Sequence, residues 1–114
     1  MNERELLTLA AKACGYVIVF TSDGRSWTKL EVNGRPALYT YPWHPLSDPG
    51  DCQRMGALLG IDVFWFLSSV EATKALCTPP INVVEYFSDH NGDKLAASMM
   101  ASCRVAAEIG RSLT

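Results

Sequence analysis

The 114-residue sequence lacks the features that define several large classes of protein. It has no run of 18 or more apolar residues, so it predicts no transmembrane helix. Residues 1–5 carry acidic side chains and the N-terminus has no apolar core, so no signal peptide is predicted. Ten basic side chains against twelve acidic ones give a net charge of −2, which argues against nucleic-acid binding through a basic surface. We therefore expect a cytoplasmic protein that binds neither nucleic acid nor membrane.

Catalytic and metal-binding motifs are also scarce. Four cysteines stand far apart without a CxxC pair, so reduced thiols are predicted in place of a zinc site or a disulfide framework. No P-loop, GxGxxG, GxSxG or HExxH motif occurs. His44 and His90 are the only histidines, and nothing in the sequence places them together. The sequence therefore predicts a binding protein with no metal or cofactor, and not an enzyme.

The composition, 48% apolar and 19% charged, is typical of a globular chain, and the length predicts a single domain spanning residues 1–114. Three helices are indicated by residue types that favour helix ends. These capping residues are Asn2 and Gly15 for the first helix, Asp48 and Gly60 for the second, and Asp93 for a third that ends near Leu113. The third helix is the longest.

Strand-forming runs occupy the segments between these helices. Residues 16–40 predict an antiparallel meander of three strands, with a hairpin turn at Asn33 and Gly34. Residues 61–67 predict a buried strand and residues 81–87 another, while residues 68–78 suit either a helix or an excursion of the sheet. The predicted fold class is α+β: an antiparallel-dominated sheet packed by helices, an α/β/α-type sandwich with a long C-terminal helix.

The last helix is rich in small residues. Its apolar stripe is Leu95, Met99, Ser102, Ala106, Ile109 and Leu113, and further alanines widen it. A helix face of small side chains can pack closely on the sheet as part of the core, and part of this face can also form a homodimer contact. Both alternatives are compatible with the sequence.

Two arginines on this helix are candidate ligand-binding residues. Arg104 and Arg111 lie two turns apart on one face, where two guanidiniums can grip a phosphate or a carboxylate. They can equally be surface charges paired locally with Glu108. The consecutive aromatic residues at 64–66 and 86–87 require either that both sheet faces are covered or that a ring is exposed to a ligand or partner.

Two segments carry a family resemblance. WHPLSDPGD at 43–51, followed by the helix that ends at Gly60, resembles the W-x-P-L-x-D-x-G-D segment of phage ABA-sandwich domain proteins. RVAAEIGR at 104–111 resembles that family's R-A-A-A-E-I-G-R ending, and residues 4–13 are similar to its opening. The resemblance implies a bacteriophage or prophage protein with a sheet between helices, and it implies no enzyme activity. Residues 62–93 match no pattern of the family.

The leading functional prediction is a phage-encoded, non-enzymatic accessory protein that sequesters a small anionic nucleotide signal, as a homo-oligomer. The analogy is with counter-defence sponges for cyclic nucleotides, which include the Thoeris anti-defence proteins. The residues assigned to the ligand site are Arg104, Arg111, Phe87, Trp43 and His44. One alternative is an inhibitor of a host defence complex, such as an anti-CRISPR, that uses an exposed acidic or aromatic surface. A third is a small hydrolase that uses His44 or His90 with a nearby aspartate.

Overall fold

The computed structural model describes residues 1–32 and 35–113, and for residues 29–32 and 35–40 it describes the backbone alone. The α+β class is confirmed, with three helices including the long last one. The elements in chain order are α1 (Glu3–Cys14), β1 (Val17–Phe20), β2 (Ser26–Val32), β3 (Arg35–Pro42), α2 (Pro49–Leu59), β4 (Asp62–Trp65), β5 (Ser69–Lys74), β6 (Ile81–Tyr86), a 3₁₀ helix (Phe87–His90) and α3 (Lys94–Ser112). The predicted turn at Asn33 and Gly34 lies outside the described residues.

The predicted helix ends are confirmed by their capping hydrogen bonds. At each helix start, a side-chain oxygen accepts a backbone N–H of the first turn, which satisfies a donor that has no partner within the helix. The acceptor and donor pairs are Asn2 with Glu5, Asp48 with Asp51, and Asp93 with Ala96. Gly15 and Gly60 adopt the left-handed conformation, with φ of 75° and 67°, and so end α1 and α2.

The strands form two antiparallel sheets of three, β1-β2-β3 and β4-β5-β6, where the sequence predicted one sheet. Residues 43–61, which contain α2, separate β3 from β4, and each group of three pairs with its neighbours in the chain. The ambiguous segment 68–78 contains β5, the central strand of the second sheet. The prediction of a buried strand at 61–67 was wrong on burial, because β4 is an edge strand whose four residues are all exposed.

The last helix lies at the centre of the molecule. One side of α3 packs on the second sheet, with Ala101 and Val105 against Ala72. Another side packs on α1, with Ala106 and Ala107 buried in the main core beside residues of that helix. The small residues of α3 are therefore used within the chain, while Leu95 and Leu113 of the predicted apolar stripe are exposed.

The two helices approach each other most closely at Gly110. A Cβ built on this glycine would lie 1.9 Å from the backbone carbonyl oxygen of Leu9, far inside van der Waals contact. The interface between α1 and α3 therefore depends on a residue without a side chain at this position.

The four cysteines are free thiols in different surroundings, and we expect their alkylation rates to differ. Burial raises the pKa of Cys14 to about 11, and contact with Cys52 together with burial raises the pKa of Cys103. Because the thiolate is the reactive form, partly exposed Cys77 should react with iodoacetamide first and fully buried Cys103 last. Peptide mass spectrometry at timed intervals measures the order in which the cysteines are alkylated. Alkylation rates that are the same in native protein and in urea would contradict the prediction.

Candidate functional site

A cavity of about 660 Å³ opens between the start of α1, strand β6 and the middle of α3. Its apolar wall comes from all three elements and includes Leu6, Val83 and Met100. Its polar lining is Asn2, Glu3, Asn82, His90, Arg104 and Glu108. This volume lies within the range of about 300–1,000 Å³ that small-molecule sites occupy, and an apolar wall with a few polar groups is their usual character.

A buried carboxylate connects two of the polar lining residues. The Oε1 atom of Glu85 lies 2.9 Å from Nε2 of His90, and its Oε2 atom lies 2.9 Å from Nη1 of Arg104. The side chains of Glu85 and His90 are 10% and 15% exposed, whereas that of Arg104 is 52% exposed. Glu85 therefore holds an imidazole and a guanidinium in fixed positions at the edge of the cavity.

Strand alternation brings Glu85 to this place. Ile81, Val83 and Glu85 share the face of β6 that packs on α3. The strand ends at Tyr86, and the 3₁₀ helix that follows carries His90 back toward the carboxylate. A carboxylate on a buried strand face needs charged or hydrogen-bonding partners, and α3 supplies one of them.

Arg104 keeps donors for a further partner. A guanidinium has five N–H donors in a fixed plane, and the contact with Glu85 uses one end of it. The exposed half of Arg104 lines the cavity, where it can donate two parallel hydrogen bonds to a phosphate or carboxylate. The carboxylates of Glu3 and Glu108 line the same cavity and can accept hydrogen bonds from ligand amines or hydroxyls. The cavity thus has one side chain that can bind an anionic group of a ligand, and two carboxylates that can accept hydrogen bonds from a ligand.

His44 reaches the cavity only through a neighbour. Its Nε2 atom lies 2.9 Å from Oε1 of Glu3, and its Nδ1 atom lies 2.9 Å from Oγ of Ser47. Its backbone N–H donates to the carboxylate of Asp51 at the start of α2. His44 therefore positions Glu3, a cavity residue, and ties the loop before α2 to the start of α1.

The other predicted site residues lie apart from Arg104. Trp43 is buried in the main core with its ring 5.8 Å from that of Tyr16, and Phe87 is buried beneath the second sheet against Val70 and Ala97. Neither ring lines the cavity, so the structure does not bring them to a ligand there. Trp43 follows the last residue of β3 and Phe87 follows the last residue of β6, and both side chains are buried.

Arg111 lies at a different cavity, beside α1. This second cavity is lined by Arg4, Phe20 and Arg111 among others, and Nη1 of Arg111 lies 3.4 Å from Oε1 of Glu108. The structure therefore does not bring the two guanidiniums together at one cavity, and Glu108 lies between them along the helix. Arg104 is the guanidinium that lines the larger cavity.

Comparison with known proteins gives no identity, since no protein-family model, curated protein or solved structure matches the chain. The resemblance to phage ABA-sandwich proteins therefore stays a prediction. No helix within the described residues is long and apolar enough to cross a membrane. In the same part of the chain, no group of three or more His, Cys, Asp or Glu residues could hold a metal ion. The side chains around the cavity are the basis for a functional proposal.

Proposed function

We propose that this cavity binds a small anionic ligand of the nucleotide class, and that the protein acts by sequestering it without changing it. The observation that carries the proposal is the position of the Arg104 side chain. It is half exposed in the cavity wall, and its guanidinium forms an ion pair with buried Glu85. A guanidinium fixed in this way loses little rotamer freedom when it binds a phosphate, so more of the interaction appears as affinity.

The remaining lining suits the uncharged parts of a nucleotide. The apolar wall formed by Leu6, Val83 and Met100 can cover the flat face of a base. Asn82 and Glu3 can accept hydrogen bonds from exocyclic amines or ribose hydroxyls. With the phage resemblance of residues 43–51 and 104–111, this supports a counter-defence sponge that works in the cytoplasm of an infected bacterium. Binding by a homo-oligomer remains part of the proposal.

Hydrolysis of the same ligand is a second candidate function, and one contact favours it. An imidazole hydrogen-bonded to a carboxylate is the arrangement that orients a general base, and Glu85 and His90 form such a pair at the cavity. The partner is a glutamate, where the sequence predicted a nearby aspartate. The two functions differ in the fate of the ligand, which is either released unchanged or released as a product.

Native mass spectrometry of the protein with a panel of cyclic mono- and dinucleotides and cyclic ADP-ribose tests the proposal. We expect an adduct with one member of the panel, and release of that ligand at its original mass after heat denaturation. A released ligand of altered mass would establish hydrolysis in place of sequestration. No adduct with any member would overturn nucleotide binding.

Variants locate the binding site within the fold. Ala96→Leu enlarges a side chain that lines the cavity and leaves the cluster of Glu85, His90 and Arg104 unchanged, so affinity should fall about tenfold or more. Arg104→Lys keeps the charge but removes the planar pair of donors, and we expect a loss of about tenfold. Arg111→Lys is the matched control outside this cavity and should bind as the parent does. Equal losses for Arg104 and Arg111 would place the ligand elsewhere.

A further inference from the structure

The second sheet has one face covered by α3 and one face that no described element covers. The strand register identifies the residues whose side chains lie on the uncovered face. Phe64 pairs with Glu71, and Glu71 pairs with Val84, so these three form a row across the sheet. Ser69 and Tyr86 form the next row, and the N–H of Phe66 donates to the carbonyl of Ser69. We call the side of the sheet that bears these residues the outer face.

Large apolar side chains are concentrated on the outer face. Phe64 and Phe66 are 51% and 55% exposed, and Val84 and Tyr86 are 45% and 55% exposed. On the opposite face, Val70 and Ala72 of β5 are fully buried against α3, while Val63 and Trp65 of the edge strand β4 are exposed. Single exposed apolar residues are normal on a protein surface, but a contiguous group of this kind marks an interaction site.

The charges on the outer face have one sign. Glu71 lies in the middle of the sheet between Phe64 and Val84, and Asp62 lies at the end of β4 beside Thr73. The nearest lysine of β5, Lys74, points to the other face, where its Nζ atom donates to the carbonyl of Leu59. Within the described strands, the outer face is therefore an acidic centre surrounded by aromatic and aliphatic side chains.

We propose that the outer face docks a protein partner that presents an arginine or lysine flanked by apolar side chains. The cation would pair with the carboxylate of Glu71 and lie against the electron-rich faces of Phe64 and Tyr86. Its apolar neighbours would cover Val84 and Phe66. This surface is separate from the proposed nucleotide cavity, because it lies on the side of the sheet away from α3.

Charge also argues against a second copy of this chain as the partner. If two outer faces packed together about a two-fold axis, the same patch would meet itself, and Glu71 in its centre would face the Glu71 of the other copy. Two carboxylates removed from water side by side are strongly unfavourable without a cation between them. A cationic partner removes this difficulty.

Selection from a random peptide display library on the intact protein tests the proposal. On the wild-type protein we expect enrichment of peptides in which arginine or lysine stands between apolar residues. The Glu71→Arg variant should reverse the preference, so that aspartate or glutamate takes the central position. Gln53→Arg is the control: it adds the same charge at an exposed position of α2, outside the second sheet, and should keep the wild-type preference.

Variants of the outer face decide between the outcomes. Phe64→Ala should weaken binding of the selected peptides at least tenfold, and circular dichroism checks that each variant is folded. If Glu71→Arg does not fold, Glu71→Gln replaces it and should lose the preference for a cation. Peptides without a central cation, the same selection on wild type and Glu71→Arg, or no enrichment at all would each overturn the proposal. So would a wild-type dimer in sedimentation velocity that Phe64→Ala dissociates, because a second copy would then occupy the face.

Discussion

Replacing Gly110 with alanine is expected to lower the free energy of unfolding by about 3 kcal/mol, although alanine is the better helix former. The added Cβ would lie 1.9 Å from the carbonyl oxygen of Leu9 and 2.8 Å from its carbonyl carbon. Both atoms belong to the backbone of α1, so no side-chain rotation relieves the overlap. The helices would have to separate by about 1.5 Å, and the contacts around Ala106 and Ala107 would loosen with them.

Gly56 in α2 provides the matched control for this substitution. A Cβ at Gly56 would meet only the carbonyl oxygen of Ile61 at 3.9 Å, an ordinary contact. Gly56→Ala should therefore raise stability by about 0.5–1 kcal/mol through helix propensity alone. Urea denaturation measures both changes, and for Gly110→Ala the melting temperature should fall by about 12 °C. An unchanged or increased stability of Gly110→Ala would show that α1 does not pack so closely on α3.

The local features of this fold could be predicted from sequence because they depend on neighbours in the chain. Asn2, Asp48 and Asp93 bond to N–H groups three residues ahead, so residue type and position suffice to place the helix starts. Burial of β4 could not be predicted in the same way. Its apolar residues read as a core strand, and only the position of α3 over β5 and β6 decides that β4 is an exposed edge.

The residues of the candidate site also divide into those that the sequence identifies and those that depend on long-range contacts. Arg104 was a candidate from the sequence, because it lies two turns from Arg111 on one face of the last helix. Its partner Glu85 lies nineteen residues earlier on a strand, and no local pattern connects the two. The signal that could have found Glu85 is a carboxylate on the same strand face as Ile81 and Val83, which a buried face tolerates only with partners.

The aromatic predictions depended on a choice that sequence leaves open. Tyr86 and Phe87 are consecutive, so one ring had to differ from the other in its surroundings. The structure exposes Tyr86 on the outer face and buries Phe87, because the strand ends between them and the 3₁₀ helix turns Phe87 inward. The exposed aromatic predicted for a ligand is thus found on the sheet, away from Arg104.

Replacing Arg104 with methionine should destabilise the protein by about 2 kcal/mol, the second largest effect expected. The change removes the cation from Glu85 and leaves that buried carboxylate with His90 as its remaining partner. Half of the Arg104 side chain is in water, so the loss should be smaller than for a fully buried ion pair. Arg111→Met removes, among other things, an exposed contact to Glu108, and it should cost less than Arg104→Met. Urea denaturation of both variants makes the comparison.

A double variant separates the charge effect from lost packing. Glu85→Leu alone leaves Arg104 able to turn toward water, so we expect it to cost less than Arg104→Met. Adding Glu85→Leu to Arg104→Met removes the unpaired carboxylate and should restore about half of the lost stability or more. If the two losses simply add, Glu85 does not depend on Arg104, and the guanidinium is not held from behind. A strong non-additive term would instead show that the anion-binding group of the cavity is preorganised by a residue that no ligand touches.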